Sequence, residues 1–286
     1  MKFEQIIYEV DDRIAVITLN RPELLNAWTL VMMQNILDAL DRADNDDDVR
    51  VVIFTGAGRA YCAGADLSAG GFRMPDEGAD KPKLVRDTAG RVTLRIFDMK
   101  KPVIAAINGP AVGVGITMTM AMDVRIASES ATKIGFIFNR RGIVPEGCCT
   151  YFLPRIVGVS KAAELILTGR LFTAREGLEM GLFSRVVPPE ELMPTAKQIA
   201  HEIADNTSAI STALARQMLW KMLTEDHPMS AHILESRSLT AMFGSDDTRE
   251  GGAAFVEKRP PCFTMKPSTQ MPDFYPWWNE PPFPEK

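Results

Sequence analysis

The sequence predicts an α/β fold, a spiral of ββα units followed by a C-terminal helical region. Two observations carry that reading. Short apolar runs of strand length lead into glycine-containing turns and then into stretches of helical periodicity, and this pattern recurs at about fifty-residue spacing without repeating identical residues. After Val187 the periodicity is helical almost throughout. A chain of 286 residues with 46% hydrophobic content is long and apolar enough to bury a sizeable core.

Taken in order, Ile6 to Val10 and Ile14 to Leu19 read as two strands of a hairpin around the polar turn Asp11-Asp12-Arg13. From Thr29 to Ala43 apolar residues fall at helical spacing (Leu30, Met33, Ile36, Leu37, Leu40), and the run ends at the acidic cluster Asp44 to Asp48. Val51 to Phe54 is a buried strand leading into Gly56-Ala57-Gly58. Ser68 to Pro82 has the loose composition of a mobile surface loop, and Leu84 to Met99 reads as a helix. Ile104 to Ile107 is a strand, and after Asn108-Gly109-Pro110 the run Val112 to Met122 reads as a helix buried all round. Asp123 to Ala127 returns as a strand. Helices follow over Cys148 to Ile156, Lys161 to Leu167 and Ala174 to Met180, then a strand over Phe183 to Val187. Further helices span about Glu191 to Ala204, Ala209 to Leu223, Ala231 to Met242 and Arg249 to Glu257. The division expected is a spiral core over 1–190, a helical assembly region over 191–258 and an extended tail over 259–286. The tail, rich in proline and aromatic residues, is expected to lie on a surface of its own or of a neighbouring subunit.

Charge and cysteine usage exclude several function classes. The formal charge of −5 comes from well-mixed signs without a basic stripe, which argues against a nucleic-acid partner. Four cysteines show no metal-type spacing, the N-terminus has no signal-peptide pattern, and no apolar run is of membrane-spanning length, so a cytoplasmic protein without a membrane partner is expected. Gly56-Ala57-Gly58 imitates the start of a dinucleotide fingerprint, but tyrosine stands at the last glycine and no helix follows. His201, His227 and His232 are scattered in the helical region and read as surface or packing residues.

Two features carry chemistry. A strand feeding the glycine-rich start of a helix, with Gly113 and Gly115, turns unpaired backbone N–H groups into the space above the turn, a place to stabilise negative charge. Glu146 sits among Ile143, Val144, Cys148 and Cys149 near a helix start; capping and catalysis account for it equally well.

Asn20-Arg21-Pro22 with Asn26-Ala27, Ala63-Gly64-Ala65-Asp66-Leu67, Lys101 to Gly109 and Asp123 to Ala127 together resemble the crotonase superfamily, the enoyl-CoA hydratase/isomerase proteins, from about Ile6 to about Arg259. The resemblance implies a spiral of ββα turns with a helical region that forms trimers, often paired into hexamers as dimers of trimers. It implies an acyl-CoA substrate whose thioester oxygen is held by the N–H groups of Ala65 and Val114, with Ala63, Asp66 and Leu67 contacting coenzyme A and Gly113, Thr117 and Phe138 lining the site. No cofactor beyond the coenzyme A of the substrate is expected.

Departures from the family pattern narrow the reaction. The two glutamates of the hydratases would stand at Thr117 and at or near Phe138, and neither position is acidic. Thr117 is expected to bond its hydroxyl back to a helix carbonyl. Glu146, within Pro-Glu-Gly-Cys, resembles the base of a peroxisomal type of Δ3,Δ2-enoyl-CoA isomerase. The resemblance thus favours double-bond isomerisation with Glu146 as proton shuttle, ahead of a hydratase or lyase on an unusual acyl-CoA and of a non-catalytic CoA-binding scaffold.

Overall fold

The computed structural model describes residues 3–68 and 84–284. Most of the loop expected at Ser68 to Pro82 lies outside the described residues. Strands β1 (Ile6–Asp11) and β2 (Ile14–Leu19) form the antiparallel hairpin. Its two-residue turn places Asp12 at φ 43° and Arg13 at φ 65°, the left-handed pair that matches the twist of the flanking strands. From β2 onward every pairing in the main sheet is parallel, through β3 (Val51–Gly56), β4 (Val103–Ile107), β6 (Val124–Ser128) and β8 (Arg185–Val187), in the order β1-β2-β3-β4-β6-β8. A small second sheet pairs β5 (Ala111–Val112) with β7 (Ile134–Gly135).

Strand alternation divides the core in two. Val52, Phe54, Val103 and Ala105 face helix α1 (Leu30–Asn45) and helix α2 (Thr88–Phe97), whereas Val51, Ile53, Ile104 and Ala106 face helix α7 (Leu192–Asn206). Helix α1 starts where the Thr29 hydroxyl accepts the Met32 N–H at 3.0 Å, and it buries Met32, Met33, Ile36, Ala39 and Leu40 along one stripe. Helix α7 meets the sheet through Leu192, Ala196 and Ala200, four residues apart, whose small side chains let the helix lie close. The sequence reading assigned this helix to the assembly region; here it closes the second face of the sheet.

Two expected helices are shorter. The one read over Leu84 to Met99 begins only at Thr88, because the Asp87 carboxylate accepts the Ala89 and Gly90 N–H groups and so caps it. The one read over Val112 to Met122 is regular only in α3 (Val114–Thr117) and then continues as tight turns with Thr119 N–H to Ile116 and Met120 N–H to Thr117 bonds. Burial all round is as expected, but carbonyls of these turns are taken by guanidinium groups: Arg125 bonds those of Thr119 and Met122. Side-chain donors at those carbonyls replace the bonds that would continue an α-helix.

Helices α4 (Cys149–Val157), α5 (Val159–Thr168) and α6 (Ala174–Glu179) precede β8. Beyond α7 come α8 (Ala209–Lys221), α9 (Pro228–Met242) and α10 (Asp246–Glu257). Buried Arg216 anchors α8 to the core: it pairs with Asp123 at 2.8 Å and donates to the Ile96, Phe97 and Met99 carbonyls at the end of α2. A cation on the negative end of a helix dipole favours this docking. The tail follows its own chain. Phe274 packs with Ile210, Leu214 and Leu234, the Trp278 ring lies 4.2 Å from Lys221 Nζ, and the Phe283 ring lies 5.6 Å from the Arg86 guanidinium.

Candidate active site

Three turns, from Cys62 to Leu67, from Pro110 to Thr117 and from Phe138 to Gly147, enclose a cleft with the start of α2. Asn26 and Asn108 hold the turn from Gly56 to Ala60 that leads into the first of them. The buried Asn26 amide donates to the Ala57 and Ala60 carbonyls, and Asn108 accepts the Gly56 N–H while donating to the Gly58 carbonyl. Close backbone approach explains the glycines. A Cβ on Gly115 would stand 2.1 Å from the Cys62 carbonyl oxygen, and Gly64 sits at φ 101°.

This packing leaves two backbone donors facing the cleft. Trp28 donates to the Gly64 carbonyl and accepts from Asp66, both bonds on one side of the strand-like segment, so the intervening Ala65 N–H points away from Trp28. Val114 is the first residue of α3, whose N–H has no partner within the helix. Among the described residues neither N–H meets a protein acceptor, and both residues line a cleft of about 780 Å³.

Glu146 lines the same cleft. It does not cap α4, which starts three residues later behind Cys148 with no side-chain cap. Instead Glu146 Oε1 accepts the Thr117 hydroxyl at 2.7 Å, a correction to the helix carbonyl expected as partner of that hydroxyl. Thr117 is fully buried behind Glu146, so it touches the carboxyl rather than the cleft. Gly147 permits this contact: it sits at φ 65°, and a Cβ there would stand 2.7 Å from Thr117 Oγ1. Burial, and then the Asp87 carboxylate alongside, push Glu146 up to about 8, while the Thr117 hydroxyl pulls the other way.

Asp87 is the residue that sequence reasoning missed. Its Oδ1 accepts the Ala89 N–H at 3.0 Å, and its Oδ2 accepts the Gly90 N–H at 3.0 Å and the Gly147 N–H at 2.6 Å. It lines the cleft beside Glu146. No signal in the sequence singled it out, since the helix expected from Leu84 placed Asp87 within its first turn and not at its cap. Trp28 was missed too; its indole N–H donates to Thr88 Oγ1 at 3.2 Å and ties the start of α2 to the cleft wall.

The other expected site residues divide. Ala63, Gly113, Leu67 and Phe138 line the cleft, with Leu84, Val85, Ile143 and Val144 giving it an apolar end. Asp66 turns aside: its carboxylate pairs with Arg21 at 2.9 Å and accepts the Ser68 N–H, which holds it well below the usual carboxylate range. The N–H groups of Ala63 and Asp66 are committed to the Leu25 and Trp28 carbonyls. A second cavity of about 540 Å³ shares Ala63, Val112, Ile137 and Arg141 with the cleft and adds Arg59, Lys133 and Arg140. A mostly apolar cleft with two free N–H donors and two carboxyls, Glu146 and Asp87, thus opens onto a cationic groove.

The family model for enoyl-CoA hydratase/isomerase matches residues 9–266 of this chain. The chain belongs to the enoyl-CoA hydratase/isomerase family, within the crotonase superfamily. Among relatives in this family, enoyl-CoA hydratase ACTT3 of Alternaria alternata is 44% identical over 253 residues, 88% of this chain and 83% of its own. The 1,2-epoxyphenylacetyl-CoA isomerase of Escherichia coli is 33% identical over 264 residues, 92% of this chain and 99% of its own. Among solved structures, a probable enoyl-CoA hydratase/isomerase from Mycobacterium abscessus superimposes with a TM-score of 0.82 at 34% identity, covering 91% of this chain and 98% of that one. The fold expected from the resemblance is the fold observed, with the C-terminal helices of the family. Among the described residues no group of three His, Cys, Asp or Glu side chains gathers to hold a metal ion, and no helix is long and apolar enough to cross a membrane.

Proposed function

We propose that this family member shifts the double bond of an enoyl-CoA thioester, with Glu146 as the proton shuttle. The observation that supports it most directly is one raised carboxyl facing two free backbone N–H groups across a single apolar cleft. With the thioester oxygen on the Ala65 and Val114 N–H groups, ionised Glu146 takes a proton from C2 of a 3-enoyl-CoA. The electron pair passes into the thioester carbonyl as a dienolate, which the two donors stabilise, and the protonated Glu146 returns its proton to C4. The carboxylate is regenerated and no other reactant is consumed. A working value near neutrality suits a group that must serve as base and then acid. Arg59, Lys133, Arg140 and Arg141 supply the cationic groove for the phosphates of coenzyme A. Assembly as a homotrimer, or as a hexamer of two trimers, belongs to the same proposal, as does a reaction that needs neither metal nor nicotinamide.

A second reading, hydration of an enoyl-CoA, is favoured by Asp87, which supplies a second carboxyl from an element where the hydratase pattern has none. Several relatives are also named hydratases. Incubation of the pure protein with 2-enoyl- and 3-enoyl-CoAs in heavy water separates the two. Isomerisation with deuterium entering C2 or C4 and no 3-hydroxyacyl product is the expected result; hydration without isomerisation overturns the first reading.

A further inference from the structure

We propose that Asp87 is a positioning residue for the Glu146 proton shuttle: it pins the Glu146–Gly147 backbone to the start of α2 and, as a fixed anion beside Glu146, sets the pH at which that carboxyl gives up its proton. The inference deepens the proposed function and rests on Glu146 being the base.

The geometry serves both roles at once. One Asp87 oxygen accepts the Gly90 and Gly147 N–H groups together, so the same carboxylate caps α2 and holds the residue next to Glu146, 60 positions further along the chain. Three backbone N–H groups, one of them at 2.6 Å, meet this carboxylate and fix it in place. Glycine is required at both contacts. A Cβ on Gly90 would stand 2.7 Å from Asp87 Oδ2, and Gly147 sits at φ 65° with no room for one. The position is therefore built for the carboxylate, beyond the needs of an ordinary helix cap.

The other groups around Glu146 leave Asp87 as the dominant charge. From α3 comes the neutral Thr117 hydroxyl. Cys148 and Cys149 lie at the start of α4 and Cys62 below Gly64. Burial raises all three thiols, Cys62 and Cys149 up to about 12, so they are neutral at physiological pH. Arg86, next to Asp87, and Arg141, on the far wall, are the cations lining the cleft. Burial, and then the Asp87 charge beside it, make ionisation of Glu146 costly, and Glu146 keeps its proton until the pH rises well past the ordinary carboxylate range.

Asp87→Asn tests this: it removes the charge and keeps one capping oxygen, while its amide group gives up the backbone N–H bonds of the other oxygen. The carboxyl carbon resonances of 13C-labelled glutamates are titrated in wild type, in Asp87→Asn and in Glu146→Gln, the last identifying the Glu146 signal by its loss. The pH profile of kcat/KM is taken on the same proteins. In Asp87→Asn the Glu146 midpoint is expected to fall by about one pH unit or more, the effect of removing one close like charge, and the kcat/KM profile to move with it. An unshifted resonance, or a uniform loss of kcat/KM at an unchanged midpoint, overturns the proposal. Asp87→Ser, which keeps a capping oxygen, answers the same question if the asparagine variant folds poorly. Should Glu146→Gln turn over normally, Glu146 is not the base, while the resonance titration still reads the coupling between the two carboxyls.

Discussion

The two walls of the cleft do their work by different means. On one side stand the Ala65 and Val114 N–H groups, backbone atoms aimed by local geometry: a parallel bridge with Trp28 for the first and the first turn of α3 for the second. On the other side stand Glu146, Thr117 and Asp87, side chains whose arrangement depends on three elements meeting. Glu146 and Thr117 are 29 residues apart in the chain, and Gly147 and Asp87 are 60 apart. The donor wall tolerates a change of side chain, because its donors are backbone atoms. The carboxyl wall changes with any of its members, because each alters the charge or the hydrogen bonding of the others.

The largest effect expected falls on the carboxyl wall. Glu146→Gln should lower kcat by about a thousandfold, within the range of general-base catalysis, with acyl-CoA affinity nearly unchanged in an equilibrium binding measurement. Unchanged turnover would leave Glu146 as a structural residue. The same variant tests the shifted acidity through stability. The folded value of about 8 lies above that of an unfolded glutamate, so the native state holds this proton between the two values and loses relative stability as pH rises through them. Glu146→Gln, which never ionises, should therefore melt above the wild type at about pH 8.5, with the gap narrowing toward about pH 5.

Next comes the donor wall. Val114 is the first residue of α3, where proline is well accommodated, so Val114→Pro deletes the N–H with little cost to the helix. A fall in kcat/KM of about a hundred- to a thousandfold is expected with an unchanged circular dichroism spectrum. If Val114→Pro loses little while Val114→Ala loses much, the side chain rather than the N–H matters and the contrast between the walls breaks down.

The smallest effect belongs to Thr117→Val. Its hydroxyl lowers the Glu146 value, so removing it should raise the midpoint of the kcat/KM profile, the opposite direction from Asp87→Asn. Activity should drop a few-fold at neutral pH and recover in more alkaline buffer. A profile that stays in place would mean that the hydroxyl does not touch Glu146 in the working enzyme.

Much of the fold was legible because strands, helices and turns follow from local patterns. The continuous apolar run Val51 to Phe54, the apolar stripe of α1 and the polar turn Asp11-Asp12-Arg13 need only neighbouring residues to specify them. Where distant groups intervene, local reading fell short. The stretch after Thr117 runs as tight turns with Arg125 on the Thr119 and Met122 carbonyls, and α2 begins at Thr88 because Asp87 caps it. The packing of α7 on the sheet was not legible, because an alanine-rich stripe fits a sheet face and a subunit contact equally well. The cationic groove of Arg59, Lys133, Arg140 and Arg141 gave no basic run in the sequence, since its members come from separate turns.

The sequence by itself determined the α/β spiral and the glycine-rich helix start before Val114, because glycine turns and strand-to-helix junctions set backbone direction locally; Ala65, Val114 and Glu146 were named through the family resemblance. Only the tertiary structure decided what stands next to that carboxyl. Asp87 and Thr117 reach it through the packing of α2 and α3 against the turn before α4. The charge of a carboxyl in an apolar cleft is governed by the groups within a few ångströms of it, and those neighbours are chosen by how the elements pack.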